Sequence, residues 1–343
     1  MNDVFLKACR KEVVPFTPVW FMRQAGRYMS EYRQLRAKYS LIEIAKTPEL
    51  AAQVTLQPLQ KFNLDAAIIF ADILLPLEPM GIPFTFCKGE GPKIETPIRK
   101  KHQVDSIPNL KDAHSLSFVG EAISMVVKKI QVPLIGFAGG PFTLASYMIE
   151  GKGSRQYRYC KEFMFQNTKS WHALLEKISE LTLSYLSMQI EAGAKAIQLF
   201  DSWIGCLSPE DYREYVLPHS QFILISLKEK YPNIPRIHFG TGTSQLLPLM
   251  YQAGANVMGI DWQTPLPYAQ NILGNEIPLQ GNLDPLALFG THKLLKQKVE
   301  KIINEMKERN GHIFNLGHGI LPETPEENVK FVIDLVHEYT QNT

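Results

Sequence analysis

Eight short apolar segments recur along the chain, and each is followed by glycine or a polar residue. Most of them show little alternation of polar and apolar residues, which is typical of strands buried on both faces of a sheet. They are PVWFM (18–22), AAIIF (66–70), LIGFA (134–138), AIQLF (196–200), RIHFG (236–240), VMGID (257–261), IPLQG (277–281) and HIFNLG (312–317). The pattern predicts eight buried parallel strands.

Segments with helix-start signals lie between these runs. Thr47, Ser208 and Thr324 each precede a proline and an acidic first turn, and Asp284 also precedes a proline. Gly311 ends an amphipathic run that begins at residue 294, and is predicted to cap that helix. Strands that alternate with helices in this way predict an α/β protein.

The number of strands selects between two α/β architectures. Eight strands in 343 residues suit a (β/α)8 TIM barrel. The alternative is an open doubly wound sheet, but no GxGxxG follows the first strand. Because no linker, low-complexity tract or internal repeat divides the chain, we predict a single barrel domain over residues 1–343.

Charge and cysteine content narrow the class of protein further. A formal net charge of only +2 argues against binding nucleic acid through bulk phosphate attraction. The four cysteines, Cys9, Cys87, Cys160 and Cys206, include no CxxC pair, which predicts reduced thiols. The N-terminus lacks the apolar region of a signal peptide, and no run has the length of a membrane span. We therefore expect a cytoplasmic protein with no nucleic-acid or membrane partner.

A barrel places its active site at the carboxyl ends of its strands, so the residues that follow each run are the candidates for function. Each one has an ordinary structural explanation when taken alone: a solvated arginine, a turn cap, a core tyrosine, a turn hydroxyl or a structural histidine. Their shared location favours a common site instead. The candidates are Arg23 and Arg27 in WFMRQAGRYM, Asp72, Tyr147, Ser202 (next to Asp201) and His318.

Several familiar catalytic signatures do not occur in the sequence. There is no GxSxG elbow, no HExxH and no P-loop. Two arginines separated by Gln24, Ala25 and Gly26 are instead suited to carboxylates, because the planar guanidinium can bind a carboxylate with two hydrogen bonds.

The segments that carry these candidates resemble the uroporphyrinogen decarboxylase family in order and nearly over the whole chain. They are PVWFMRQAGRYMSEYR, FADIL, GFAGGPFTLASYMIEGKGS, FDSWIGCLSPEDY, PLQGNLDP and FNLGHGILPETPEENV. One small departure is Ala71, where many members have serine. The resemblance implies a TIM barrel, usually a homodimer, that removes four CO₂ from the acetate groups of uroporphyrinogen III to give coproporphyrinogen III.

The resemblance also implies roles for individual residues, and no metal or organic cofactor. It assigns Arg23, Arg27 and Asp72 to catalysis. It assigns substrate binding to the same three residues together with Gln24, Ala25, Gly26, Tyr147, Ser202 and His318. A carboxylate at Asp72 could accept hydrogen bonds from the four pyrrole N–H groups and stabilise positive charge on a protonated ring. Two candidates for the proton donor remain, namely one of the arginines and a water molecule that the arginines hold.

Two other functions compete with this interpretation. Zinc-dependent, corrinoid-linked methyltransferases of the same superfamily carry His-x-Cys at a strand end, but here Gly240 follows His238 and Phe239. A non-catalytic tetrapyrrole-binding protein would need the arginines but not Asp72.

Overall fold

The computed structural model describes residues 2–87 and 91–341. Its strands are β1 Ala67–Ile68, β2 Phe84–Cys87, β3 Gly91–Ile94, β4 Leu134–Gly139, β5 Ala196–Phe200, β6 Arg236–Phe239, β7 Val257–Gly259, β8 Leu279–Gln280 and β9 His312–Ile313. Its α-helices are α1 Val4–Cys9, α2 Ser30–Arg36, α3 Leu41–Lys46, α4 Pro48–Lys61, α5 Lys101–Asp105, α6 Ser117–Val127, α7 Pro141–Glu150, α8 Arg158–Gln166, α9 Thr168–Glu191, α10 Pro209–Tyr215, α11 Leu217–Lys230, α12 Leu247–Gln252, α13 Leu266–Leu273, α14 His292–Met306 and α15 Glu326–Gln341.

Seven of the strands form one parallel sheet in the order β1-β4-β5-β6-β7-β8-β9. Each of these strands matches one of the predicted apolar runs, although β4 extends one residue past its run, to Gly139. Neighbours in the sheet follow one another along the chain, with helices between them. Strands β4 and β6 are buried at every position, as expected for a sheet covered on both faces. The α/β class and the parallel sheet are therefore confirmed.

The first apolar run, residues 18–22, differs from the prediction because it forms only one parallel bridge, between Val19 and Phe314. Side chains take most of its amide hydrogens: Val19 N donates to Asp65 Oδ2 (2.8 Å), Phe21 N to Gln24 Oε1 (3.1 Å) and Met22 N to Asn315 Oδ1 (3.2 Å). A regular strand would give these amides to a neighbouring backbone, so the ladder is short.

The sheet is strongly curled. Trp20 Nε1 donates to Gln280 Oε1 (3.0 Å), and Gln280 Nε2 donates to Gln198 Oε1 (3.0 Å). Gln280 lies in β8 and Gln198 in β5, and two other strands separate β5 from β8 in the sheet. Side chains of such distant strands meet only where the sheet folds back on itself.

The helix starts agree with the sequence signals to different degrees. Helix α10 begins after Ser208, whose Oγ accepts from Asp211 N (3.1 Å), and α4 begins after Thr47, whose side chain makes no capping bond. Asp284 Oδ1 accepts from Leu286 N (2.9 Å), but the segment that follows is a 3₁₀ helix, Pro285–Phe289. The start predicted at Thr324 is displaced, because α15 begins at Glu326.

The prediction that Gly311 caps α14 is wrong. The helix ends at Met306, and Gly311 stands instead at the entrance to β9 with φ +88°. A Cβ at this position would lie 3.3 Å from the carbonyl oxygen of Ala8, so this glycine serves a close backbone approach as well as a left-handed conformation.

Additional elements lie between β1 and β4 and between β4 and β5. Strands β2 and β3 form an antiparallel hairpin, and α7 and α8 precede the long helix α9. The hairpin is joined to α7, because Ile94 N donates to the carbonyl of Gly151 (2.7 Å) and Ile98 N to that of Met148 (2.8 Å).

Cys9, Cys160 and Cys206 are free thiols, and the side chain of Cys87 lies outside the described structure. Across residues 2–87 and 91–341, none of the helices combines the length and apolar character that crossing a membrane requires.

Candidate active site

The two candidate arginines lie in a loop that leaves the first apolar run. Gln24 fixes this loop: it is 1% exposed, its Oε1 accepts from Phe21 N, and its Nε2 donates to the carbonyl of Ala66 (3.1 Å). Tyr28 adds a hydrogen bond from its hydroxyl to the carbonyl of Gln24 (2.7 Å). The Gln24 side chain therefore shapes the loop, while Ala25 and Gly26 are half-buried within it.

Arg23 has a left-handed backbone, with φ +62°, and its side chain passes directly over Gly319. A Cβ on Gly319 would lie 2.4 Å from Arg23 Cδ and 2.9 Å from Arg23 Nε, so the contact requires glycine. The Arg23 side chain is exposed to solvent. The protein around it nevertheless desolvates the guanidinium and lowers its pKa, and the negative charge of Asp72 opposes this lowering. Arg27 is exposed, and its charge also lowers the pKa of Arg23.

Asp72 follows β1 and faces the same region. Its Oδ1 accepts from Leu74 N (2.9 Å), which closes a short turn after the strand. Desolvation raises the pKa of this carboxyl, while the Leu74 hydrogen bond and the Arg23 charge oppose the rise. Within residues 2–87 and 91–341 Asp72 forms no salt bridge, and a carboxylate in such surroundings is a candidate functional group.

Tyr147 and His318 complete the cluster around Arg23. Tyr147, in α7, packs edge-on against Trp203 with ring centroids 6.1 Å apart; burial raises its pKa, and the Asp72 charge raises it further. Burial and, to a smaller extent, the charge of Arg23 together lower the pKa of His318 to about 4, so the imidazole is neutral at pH 7. His318 Nδ1 accepts from Gly319 N (2.7 Å), which places the ring proton on Nε2.

Five of the predicted residues are thus linked to one another electrostatically, although they come from distant parts of the sequence, whereas Ser202 has no such link to them within the described residues. Arg23 is coupled electrostatically to Asp72, Tyr147, Arg27 and His318. Ser202 is half-buried where β5 ends, and its carbonyl accepts from Thr241 Oγ1 (2.6 Å).

The sequence places Asp201 at the same strand exit as Ser202 without assigning it a role in the site. Asp201 is fully buried, and its Oδ1 accepts from both Thr143 N (3.1 Å) and Thr143 Oγ1 (2.8 Å) in the first turn of α7. Gly140 permits this approach, since a Cβ there would lie 2.3 Å from Asp201 Cγ. Burial outweighs the opposing effect of the Thr143 bonds, and the pKa of Asp201 is raised to about 7. Asp201 therefore holds the helix that carries Tyr147.

Trp262 is not among the predicted site residues, although the strand-exit rule that selected the others also applies to it. It directly follows the sixth apolar run, VMGID, and so stands at a strand exit. The indole is 38% exposed and contacts His318, with ring centroids 6.1 Å apart. It adds an aromatic surface beside the histidine.

Within the described parts of the chain, no group of three or more His, Cys, Asp or Glu side chains could hold a metal ion. His238, the histidine of IHFGTG, is fully buried, and its Nδ1 lies 3.2 Å from the carbonyl oxygen of Met250.

Comparison with known proteins adds independent information. The family model described as Uroporphyrinogen decarboxylase (URO-D) matches residues 1–339. A protein of Carboxydothermus hydrogenoformans named uroporphyrinogen decarboxylase is 53% identical over 98% of this chain and 97% of its own length. One with the same name from Thermus thermophilus is 48% identical over 98% of both chains.

Among solved structures, a methyltransferase from Methanosarcina mazei has a TM-score of 0.82, and the match covers 98% of each chain. At 21% identity this likeness shows the fold alone.

Proposed function

Because the chain belongs to the uroporphyrinogen decarboxylase family, we propose that the residues gathered around Arg23 and Asp72 form its decarboxylation site. The protein is a carboxy-lyase of haem biosynthesis. It converts the four acetate side chains of uroporphyrinogen III to methyl groups and releases coproporphyrinogen III and four CO₂. The electrostatic coupling of Asp72 and Arg23 at the strand exits is the observation that carries the assignment of the site.

The chemistry requires a place for the electrons that the departing CO₂ leaves behind. Protonation of a pyrrole carbon supplies it: the C–C bond to the carboxylate breaks, its electron pair enters the cationic ring, and a second protonation gives the methyl group. The carbon that was first protonated returns its proton, so one proton is consumed for each CO₂. Positive charge on the ring is the feature that the protein must stabilise.

Asp72 is the group that stabilises this charge. Its carboxylate accepts hydrogen bonds from the pyrrole N–H groups, and its partly desolvated position strengthens the attraction to a cationic ring. Two unit charges 4 Å apart interact by about 4 kcal/mol at an effective dielectric constant of about 20. Since the ring is neutral before protonation, most of this interaction belongs to the transition state.

Arg23 and Arg27 bind the carboxylates of the substrate. The Arg23 side chain lies against Gly319, where the absence of a Cβ leaves room for it. Neutral His318 donates its Nε2 hydrogen to a further carboxylate, while Tyr147 and Ser202 provide hydroxyl donors. Gln24, Ala25 and Gly26 contribute through the shape of the loop. Arg23, whose pKa is lowered, and a water it holds are the two candidates for the proton donor.

The same proposal includes a closed eight-stranded barrel that forms one domain. Residues 18–22 support it, since they are bonded to both edges of the seven-stranded sheet. Trp20 N donates to the carbonyl of Phe314 (3.3 Å), beyond β9, and Asp65 N, just before β1, donates to that of Val19 (2.9 Å). Slow hydrogen exchange at the Trp20 and Asp65 amides would support closure, and exchange at the rate of a free loop would contradict it.

We also expect a cytoplasmic homodimer, on the basis of the family and of the free thiols. Sedimentation equilibrium at micromolar concentration tests the dimer, and a mass of 39.0 kDa, that of one chain, would contradict it.

The activity is tested by anaerobic incubation with uroporphyrinogen III and separation of the oxidised porphyrins by their number of carboxylates. We expect successive hepta-, hexa-, penta- and tetracarboxylate products. A pool that stays at eight carboxylates would overturn the proposed function. A colourless protein with full turnover would also separate the enzyme from a haem-carrying protein.

A further inference from the structure

One part of the surface concentrates the positive charge of the protein. Residues 91–102 and 150–162, which we call the basic rim, contain eight lysines and arginines but only three glutamates. The whole chain has a net charge of +2, so the rest of the molecule is slightly acidic. Seven of the eight cations are exposed, namely Lys93, Arg99, Lys100, Lys101, Lys152, Arg155 and Arg158.

The first pair of cations in the basic rim lies on two adjacent backbone segments, at directly opposite positions. Lys93, in β3, and Lys152, after α7, are partners in an antiparallel bridge. Like charges directly opposite each other in such a pair destabilise the fold. Among residues 2–87 and 91–341, neither lysine forms a salt bridge that would relieve this repulsion.

The second pair converges on one aromatic ring. The guanidinium carbon of Arg99 lies 4.3 Å from the ring centroid of Tyr159, and that of Arg158 lies 5.8 Å from it. The ring, which is 45% exposed, attracts both cations and so keeps two positive charges close together at the surface. Arg99 Nη2 also donates to the carbonyl of Glu150 (3.4 Å), which ties both segments together.

The basic rim is continuous with the candidate active site. Its second segment begins where α7 ends, three residues after Tyr147. Tyr157 of the basic rim packs against Trp203, with centroids 5.9 Å apart, and Trp203 packs against Tyr147. The segments that carry the exposed cations are therefore linked to the candidate site through the packed rings of Tyr157, Trp203 and Tyr147.

We propose that the basic rim is an encounter surface that attracts the polycarboxylate substrate and directs it to the active site. This inference rests on the proposed function, which gives a substrate with eight carboxylates. A local positive field raises the rate of association with an anion about 10- to 1,000-fold, and it does so without contact in the final complex. This function explains why the lysines of the basic rim lack acidic partners in the part of the chain that the structure describes: their positive charge stays unneutralised until the substrate arrives.

The test measures association rates by stopped-flow fluorescence, with uroporphyrin (eight carboxylates) and coproporphyrin (four) as probes. The variant is Lys101→Glu with Lys152→Glu. Both changes are compatible with folding: the first puts an acidic side chain in the first turn of α5, and the second puts one opposite the cation of Lys93. The control is Lys228→Glu with Lys298→Glu, two exposed lysines of α11 and α14. It changes the net charge by the same amount.

We expect the basic-rim variant to associate with uroporphyrin at least about tenfold more slowly at 20 mM salt, and the control to change less than about twofold. The loss should be smaller for coproporphyrin, and it should shrink at 500 mM salt, where the screening length is only about 4 Å. An unchanged association rate, an equal loss in the control, or a loss that does not depend on salt would each overturn the proposal. The proposal would also be overturned if the wild-type protein bound RNA or anionic vesicles, and the variant lost this binding while its association with uroporphyrin was unchanged.

The outcomes separate this inference from the proposed function. If the wild-type protein decarboxylates uroporphyrinogen III and the variant associates normally, only the proposal of an encounter surface is wrong. If the wild-type protein neither decarboxylates the substrate nor binds uroporphyrin, both the encounter surface and the proposed function are wrong.

Discussion

Arg23 and Gly319, nearly 300 residues apart in sequence, are in direct contact: a Cβ on Gly319 would lie 2.4 Å from Arg23 Cδ. The glycine that follows His318 therefore leaves the space that the Arg23 side chain occupies. A methyl group at residue 319 would overlap that side chain, so the arginine must shift in a Gly319→Ala variant.

The first prediction follows from this contact. Gly319→Ala should lower kcat/KM by about a hundredfold, since a shift of about 1 Å in a binding group has an effect of that size. The matched control is Gly153→Ala, because a Cβ on Gly153 would meet no atom within 4 Å. Steady-state kinetics of both variants check it, and equal activity of the two would show that the Arg23 position is unimportant.

The second prediction concerns the charge of Asp72. Asp72→Asn keeps the size of the side chain and one acceptor oxygen, so the turn to Leu74 should survive. We expect kcat to fall by at least about a hundredfold, because the ion–ion attraction is greatest when the ring is protonated. Near-normal kcat in a folded variant would remove Asp72 from the mechanism, whereas a large drop in Tm would assign it a structural role.

The third prediction addresses the arginine fork. Arg27→Lys and Arg23→Lys keep the charge but lose the paired donors, so each should lower kcat/KM by about tenfold or more. Arg213→Lys, at an exposed position of α10, serves as the control. If lysine at both positions left kcat/KM at the wild-type value, the arginines would not bind carboxylates through their planar fork.

The fourth prediction uses the titration of Asp201. Its folded pKa is raised from 3.8 to about 7, so the folded state binds more protons than the unfolded state between these values, and the contribution of Asp201 to stability falls as pH rises from about 4 to about 7. Asp201→Asn removes this titration while keeping an acceptor for Thr143. Relative to wild type, the variant should therefore gain stability as pH rises through this window. Thermal unfolding at pH 5 and pH 8 checks it, and an identical pH dependence in the two proteins would contradict it.

The fifth prediction is that the enzyme works without a metal or organic cofactor. The pyrrole ring itself accepts the electrons, so neither is needed for the chemistry. Activity should survive dialysis against a strong chelator without loss. Activity that returned only after zinc was added would instead favour the methyltransferase type of site.

Much of the architecture could be predicted because its signals are local. A short apolar run between polar segments becomes a buried strand wherever it stands, so seven of the eight runs lie in the parallel sheet. The strand-exit rule then selected Arg23, Asp72, Tyr147 and His318, since parallel strands bring their carboxyl ends to one edge. The first run formed only a bridge because the side chains of Asp65, Gln24 and Asn315 took its amides, and no local pattern shows such competition.

Local sequence patterns were sufficient to predict the α/β class, the series of parallel strands and the residue types available for carboxylate chemistry. The tertiary structure decided which of those residues touch. It turned Gln24 inward to hold the loop, placed Asp201 under the helix of Tyr147, set Trp262 beside His318 and moved Gly311 from a helix cap to a strand entrance. The physical reason is that each of these contacts depends on the distance and direction between separate elements. Packing fixes those quantities only when the whole sheet has formed.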